Sequence, residues 1–415
     1  MTTLSDALPT TESIAPADAR AVAAAMADAY ERDLAVFPVG GGTSLDYGLS
    51  PSRSGLAFSL SGLNRVVDYP ARDMTITIEA GVTMAQLAET LAAERQWMPI
   101  DVPNAAAATI GGVVATAWSG ARRYGRGTPR DYVIGISAVD GRGMPFGGGG
   151  RVVKNVAGYD FCKLLTGSLG TLAIITQLTL KIRPQPVSSA FAVCELRSWV
   201  DAEQLLAALV HSATVPSAIE LLAGPYWLDH RTLGMSTAGT VARLVVGLEG
   251  SAVEVDWMLD RVAQEWRELG VTATHVLDTD HASALWRDLA EFPSAPEAPL
   301  VVKASLLPSH TVEFVQLVRQ IDPDASIQSH AGNGIVIAQF ASFDAGDTSR
   351  ELVGRLQPAA KSAGGNLIVL SSKLAGLTRQ AVWGGSCPAA PWMAKVKRQF
   401  DPKGLLNPGR FVYAE

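Results

Sequence analysis

The sequence predicts an α+β protein in two unlike regions. Three observations carry this: a helix-then-strand opening that runs into a glycine cluster, a Pro184-Gln185-Pro186 break after a long strand, and a βαββαβ order that occurs twice beyond the break. Within residues 18–32, Val22, Ala25, Met26, Ala29 and Tyr30 share one helical stripe, and a strand over 34–39 follows. Met74, Ile76 and Ile78 then alternate with Thr75, Thr77 and Glu79, the pattern of a half-buried strand. Thr83 with Gln86 forms a capping box for a helix reaching about Gln96. Thr171 to Ile182 reads as a long strand, stopped by the two prolines.

Past that break the rhythm changes. Strand 189–196, helix 199–212, strands 217–222 and 241–248, helix 252–269 ending at Gly270, and strand 272–277 give one βαββαβ unit. Strand 299–306, helix 309–320, strands 325–330 and 334–340, helix 347–363 and strand 366–371 give another. Two ferredoxin-like halves sharing one sheet account for both.

With 415 residues, 48% hydrophobic and 18% charged, the chain has material for two or more cores. A net charge of -6 without a dense basic run excludes nucleic acid as the main partner, because neutralising phosphates takes clustered Lys and Arg. The opening MTTLSDALPTTESIAPADAR has no basic leader before an apolar core, so a cytoplasmic location is expected. The weakly polar run Ala105 to Trp118 is too short for a membrane span and is interrupted by Gly111-Gly112, which leaves attachment to a membrane to partners. Cys162, Cys194 and Cys387 form no CxxC pair, so an iron–sulfur cluster would need another chain.

Three glycine-rich segments carry the chemistry. PVGGGTS at 38–44 empties a strand into Gly40, Gly41 and Gly42, whose N–H groups can turn inward as an anion nest, with Thr43 and Ser44 adding hydroxyls; the cluster reads equally as a glycine-rich turn. Its spacing fits neither a Walker loop nor GxGxxG. ATIGG at 108–112 leads into VVATAWSGARRYG, where Ala107, Ala108, Gly111, Gly112, Ala115 and Gly120 let backbone pass close to an extended ligand, or pack tightly against each other. The third, KNVAGYDFCKLLTGSLGTLAIITQLTLKIRP, runs from Lys154 to Pro184.

In this order, and with DPKGLLNPGRF at 401–411, these segments resemble the FAD-binding domain of the PCMH-type flavoproteins, the family of vanillyl-alcohol oxidase, p-cresol methylhydroxylase and the D-2-hydroxyacid dehydrogenases. Within it, SGARRYG, RDYVIG at 130–135 and KNVAGYD are most similar to the FAD-binding subunits of bacterial glycolate oxidases. The resemblance implies an α+β, two-lobed FAD-binding domain over 1–186, a ferredoxin-like cap over 187–395, and a tail over 396–415 returning to the first domain. It implies FAD held by Val39, Gly40, Gly41, Gly42, Thr43 and Ser44 at the pyrophosphate, and by Thr109, Gly111 and Gly112 alongside. Ala115, Ser119 and Gly120 would approach the ribityl chain and flavin edge, and Gly170, Ile174 and Ile175 the adenine end. Asn407 and Arg410 sit in the tail, either reaching the flavin or locking the tail. No His or Cys stands in either of the first two glycine clusters to anchor a flavin covalently, so noncovalent FAD is expected, Tyr124 being the nearby residue that would contradict it.

Departures from the family pattern bear on activity. Catalytic 2-hydroxyacid relatives carry HxGDGNxH, whose histidines hold a metal, and a later GEHG. Here His330-Ala331-Gly332-Asn333-Gly334-Ile335-Val336-Ile337 keeps one His, and Gly364-Gly365-Asn366-Leu367-Ile368 replaces the acidic signature. His330 is therefore expected as a turn residue of a hairpin, with no metal, since catalytic metal sites take about three protein ligands. Arg122 and Arg123 offer guanidinium to a carboxylate or phosphate, or form a solvated or subunit-facing pair. Lys303, His310, Lys373 and Trp383 show no acid–base spacing, and no catalytic residue is assigned. The function implied is the FAD-binding subunit of a glycolate oxidase complex, working beside a homologous flavin subunit and an iron–sulfur subunit on a small 2-hydroxy acid. The alternatives are an independent FAD-dependent oxidoreductase and a structural subunit without a working flavin.

Overall fold

The computed structural model describes residues 8–151, 158–294, 297–385 and 387–412. Lys154 to Ala157 of the KNVAGYD motif lie outside them. The chain divides into two units: Met1–Ser119, Thr128–Gln185 and Ser386–Glu415 form the first, Gly120–Gly127 and Pro186–Gly385 the second.

In the first unit, β1 (Thr10–Ile14), β2 (Ala35–Val39) and β3 (Gly55–Ser59) make a parallel sheet in the order β1-β3-β2. Helix Ala19–Glu31, capped by Asp18 on the Ala21 N–H, buries Val22, Met26 and Ala29 against Val36, Leu56 and Phe58. The tail joins this sheet: Val36 donates to the Leu405 carbonyl at 2.8 Å and Asn407 donates to the Val36 carbonyl at 3.0 Å. Lys397 holds the turn before it, donating to the Thr171 carbonyl at 2.6 Å, to the Leu406 carbonyl at 3.0 Å and to Asp401, while Asp401 accepts from the Leu405 and Leu406 N–H groups.

An antiparallel sheet follows, built from β4 (Val66–Asp68), β5 (Thr75–Glu79), β7 (Val133–Asp140), β8 (Pro145–Gly149) and β9 (Ala173–Lys181) in the order β4-β5-β9-β7-β8. Here the expected half-buried strand is corrected: all five residues of β5 are buried. On its polar face the Thr77 hydroxyl bonds that of Thr179 at 3.0 Å and Arg65 reaches Glu79 at 2.7 Å, while the buried Thr75 hydroxyl has no partner among the described residues. The Thr83–Gln86 capping box is present, but its helix ends at Ala92 and not near Gln96. Arg95 takes a left-handed conformation (φ 53°) and turns the chain so that β6 (Gln96–Trp97) pairs with β10 (Arg183–Pro184).

The second unit is one eight-stranded antiparallel sheet with helices Trp199–Val210, Ala252–Glu268 and Thr311–Ile321. Its strands are β11 (Ser188–Leu196), β12 (Ala218–Ala223), β13 (Ala242–Gly250), β14 (His275–Leu277), β15 (Leu300–Ser305), β16 (Ser326–His330), β17 (Ile335–Phe340) and β18 (Asn366–Ser372). The order β14-β11-β13-β12-β16-β17-β15-β18 is two ferredoxin-like halves joined where the second strand of each meets the other. Helices Pro225–Leu228, Thr279–Glu291 and Arg379–Trp383 were not foreseen in the sequence. The helix expected over 347–363 is there, with a π-helical run over Thr348–Leu356. Segment 120–127 goes with this unit, since Gly125 donates to the Ser217 carbonyl at 3.1 Å. Among the described residues, no helix is long and apolar enough to cross a membrane.

Candidate functional site

The first unit contains a cleft of about 1040 Å³, open solvent included, into which the glycine segments converge. Of the residues expected to hold a cofactor, Val39, Gly40, Gly41, Gly42, Thr43, Ser44, Thr109, Gly111, Gly112, Ala115, Gly170 and Ile175 line it. Ile174 packs in the core under the parallel sheet, Ser119 is buried outside the lining, and Gly120 belongs to the second unit. Sequence reasoning missed Leu8, Tyr47 and Val102, which also line it and carry no motif, and Trp118, which lines it from within the stretch that follows ATIGG.

Why glycine is required differs along the loop. Gly42 has φ +70°, a conformation costly to other residues. At Gly40 and Gly41 the reason is contact: a Cβ would lie 2.1 Å from the Thr109 hydroxyl and 1.7 Å from the Ala107 carbonyl. The first two glycine segments are thus pressed backbone to backbone into one wall. Gly111 likewise packs on Ala80, where a Cβ would meet the Ala80 side chain at 2.7 Å, whereas a Cβ on Gly112 would meet only the Thr109 hydroxyl, at 3.4 Å.

Among the described residues, the N–H groups of Gly40 to Ser44 have no acceptor within the chain. Opposite in sequence, the tail contributes Asn407, whose amide donates to the Leu169 carbonyl at 2.7 Å, and Arg410, which donates to the Tyr47 carbonyl at 2.8 Å and to that of Leu45. Both line the cleft, so they lock the tail and face the cavity together. Burial pulls the Arg410 guanidinium down to about 10, against the pull of Asp46, and leaves it charged at neutral pH. Burial also pushes the Tyr47 phenol up to about 12, keeping it neutral. Unsatisfied N–H donors, hydroxyls and one buried cation in a largely apolar cleft suit a long ligand with an anionic middle, as FAD is.

In the second unit His330 closes β16 at a hairpin, but it is more than a turn residue. It is buried, and its Nδ1 lies 2.8 and 2.9 Å from the two carboxylate oxygens of Glu220, itself fully buried on the neighbouring strand. Gln328 donates to the same carboxylate at 3.1 Å. Ile337 is buried in β17, and among the described residues no group of three His, Cys, Asp or Glu side chains is placed to hold a metal ion. Glu220 was not legible as a partner, because it is 110 residues away.

The arginines also need correction. Arg122 is not part of a solvated pair: its Nε donates to buried Glu249 at 2.8 Å and its guanidinium stacks 3.7 Å over Trp286. Arg126 reaches the same carboxylate at 3.6 Å, so Glu249 is the counter-ion of this stretch. Tyr124 packs its ring on Gly332, where a Cβ would lie 2.5 Å from it.

Residues 12–146 match the family described as FAD binding domain, and residues 380–411 match the C-terminal domain of FAD linked oxidases. Glycolate oxidase subunit GlcD of Bacillus subtilis is 23% identical over 418 residues, covering 96% of this chain and 88% of the relative. D-lactate dehydrogenase of Archaeoglobus fulgidus is 28% identical over 415 residues, with coverage of 96% and 90%. Glycolate oxidase subunit GlcE of Escherichia coli is 25% identical over 351 residues, with coverage of 84% and 85%. Among solved structures, an alkyldihydroxyacetonephosphate synthase aligns with a TM-score of 0.68 at 17% identity over 96% of this chain and 77% of that one, a likeness of fold.

Proposed function

We propose that this chain, a PCMH-type FAD flavoprotein and an FAD-dependent oxidoreductase, is the FAD-binding subunit of a complex that oxidises glycolate to glyoxylate. Oxidation of a hydroxy acid is the common ground of its relatives, which include D-lactate and D-2-hydroxyglutarate dehydrogenases beside the glycolate oxidase subunits. The observation that carries the subunit reading is the contrast between the two units. Twelve of the fifteen residues expected to hold FAD line the cleft of the first, while in the second the one surviving histidine of the metal motif is turned onto Glu220. A homologous flavin subunit would then carry the metal-assisted step, and an iron–sulfur subunit would take the electrons onward.

In this reading Gly40 to Ser44 offer their N–H and hydroxyl groups to the pyrophosphate, and Arg410 offsets its charge. Val39, Thr109, Gly111, Gly112 and Ala115 line the path of the cofactor, and Gly170 and Ile175 its adenine end. Bound FAD, held without a covalent bond, supplies the acceptor for a hydride equivalent. The apolar wall from Leu8, Val102 and Trp118 keeps water from it.

The D-lactate dehydrogenase match, which spans nearly the whole of both chains, favours a second reading, an independent oxidoreductase for a larger hydroxy acid. Steady-state rates of the purified complex with glycolate, D-lactate and D-2-hydroxyglutarate separate the two. A highest kcat/KM for glycolate supports the first reading; a clear preference for another acid removes glycolate from it.

A further inference from the structure

In the first unit, the turn before β9 holds a residue in a backbone conformation that its side chain disfavours. Thr171 donates its N–H to the Ser168 carbonyl at 3.0 Å, and the two residues between them, Leu169 and Gly170, have φ 53° and 63°. Two positive φ values in succession mark a type I′ turn, whose first central position is normally taken by Asn, Asp or Gly. Leu169 is none of these, and a bulky side chain is penalised in the left-handed region.

Both peptide groups of Leu169 are held. Its N–H donates to the carbonyl of Ala115, near the end of the helix Ile110–Thr116, at 2.8 Å, and its carbonyl accepts from the Asn407 amide at 2.7 Å. Asn407 is itself left-handed, with φ 44°. Ala115, Leu169, Gly170 and Asn407 all line the cleft, so the strained residue joins the helix, the turn and the tail where they form its wall. Lys397, on the helix Ala390–Phe400, does not line the cleft. Its ammonium donates to the Thr171 carbonyl at 2.6 Å, to the Leu406 carbonyl at 3.0 Å and to Asp401, and so fastens the last residue of the turn to the residue before Asn407. Backbone strain persists only where the surroundings over-determine it, and it gathers at ligand clamps.

We propose that Lys397 is a positioning residue for the cofactor, a role that rests on FAD occupying this cleft. By fastening Thr171 to Leu406 it keeps Leu169 left-handed, and so holds the turn, the tail and the end of the helix Ile110–Thr116 at the spacing the ligand requires. Its action passes through Leu169. Without Lys397 the turn relaxes, and FAD binding has to restore it, so the cost of one left-handed residue moves from folding to binding.

The test uses the full-length chain stripped of flavin and titrated with FAD by fluorescence quenching. Lys397→Met is combined with Asp401→Asn, so that neither partner is left as an unpaired buried charge. The expected Kd rises about 5- to 30-fold, and the Leu169 amide exchanges its hydrogen faster. Leu169→Gly is then added to this variant, because glycine takes the left-handed conformation unaided. The Kd should return to that of Leu169→Gly alone. A merely structural role of Lys397 would lower the melting temperature in both backgrounds and would not be repaired at residue 169. Lys397→Gln, which keeps a neutral donor, carries the same comparison if the charge-free variant does not fold. A Kd within about twofold of the parent in the folded charge-free variant, or a loss that Leu169→Gly leaves in place, overturns the proposal. If FAD lay outside this cleft, Gly112→Leu would also leave the Kd unchanged, whereas failure of the proposal alone leaves the effect of Gly112→Leu intact.

Discussion

Gly112 separates the requirements of the fold from those of the cleft. It is the third residue of the helix Ile110–Thr116 and lines the cavity, and an added Cβ would meet only the Thr109 hydroxyl, at an ordinary 3.4 Å. In the chain without cofactor, Gly112→Ala therefore removes backbone freedom from a helix and stabilises it by about 0.5–1 kcal/mol. In the proposed placement, FAD would occupy the same position from the other side. Gly112→Leu then forces an overlap worth about 1–3 kcal/mol, or about a 5- to 150-fold rise in Kd. Apoprotein stripped of flavin is titrated with FAD by fluorescence quenching, and its melting is followed in parallel. The expected pattern is a Tm held or raised in Gly112→Ala with affinity falling from Gly to Ala to Leu. A Kd for Gly112→Leu within about twofold of the parent, in a folded apoprotein, refutes the placement of FAD against this helix.

Gly41→Ala should behave oppositely, because its Cβ would sit 1.7 Å from the Ala107 carbonyl: the apoprotein itself loses about 3 kcal/mol in denaturant titration, and an unchanged midpoint would contradict the close packing of the two segments. Asp401→Asn leaves Lys397 buried beside a neutral partner and should cost about 3–5 kcal/mol, read as early release of the tail in hydrogen exchange at Leu405 and Leu406; protection equal to the parent's would speak against it. Lys303 titrates at about 8 in the folded chain and at its ordinary 10.5 when unfolded, so between these values the unfolded state binds more protons. Stability should therefore rise with pH across that window, and the rise should vanish in Lys303→Met; a rise that persists there assigns it to another group. Acid precipitation should leave all flavin in the supernatant, and a yellow pellet would mean a covalent link.

What the sequence disclosed follows from the range of the signals. The helix over 19–31, the strand before PVGGGTS and the capping box at Thr83 depend on neighbours a few residues apart, and they are where periodicity placed them. Arg95 has no sequence mark of its left-handed backbone, so the early end of the helix at Ala92 was missed. The glycine segments were visible, but the reason for Gly40 and Gly41 was not, since it lies in Ala107 and Thr109 across the wall. Likewise His330 stood out as a motif remnant, while Glu220, which decides its ring orientation, is joined to it only by strand pairing. Arg122 looked like an anion receptor because Glu249 and Trp286 are far along the chain.

The division of labour is tested most directly by adding glycolate anaerobically to the FAD-loaded chain, first alone and then as the complex recovered with it from its source cells. The account predicts a flavin spectrum that glycolate leaves unchanged in the isolated chain and bleaches in a complex containing a second flavin subunit and a cysteine-rich iron–sulfur subunit. Bleaching of the isolated chain at an ordinary enzymatic rate, about 1–10³ per second, would contradict it.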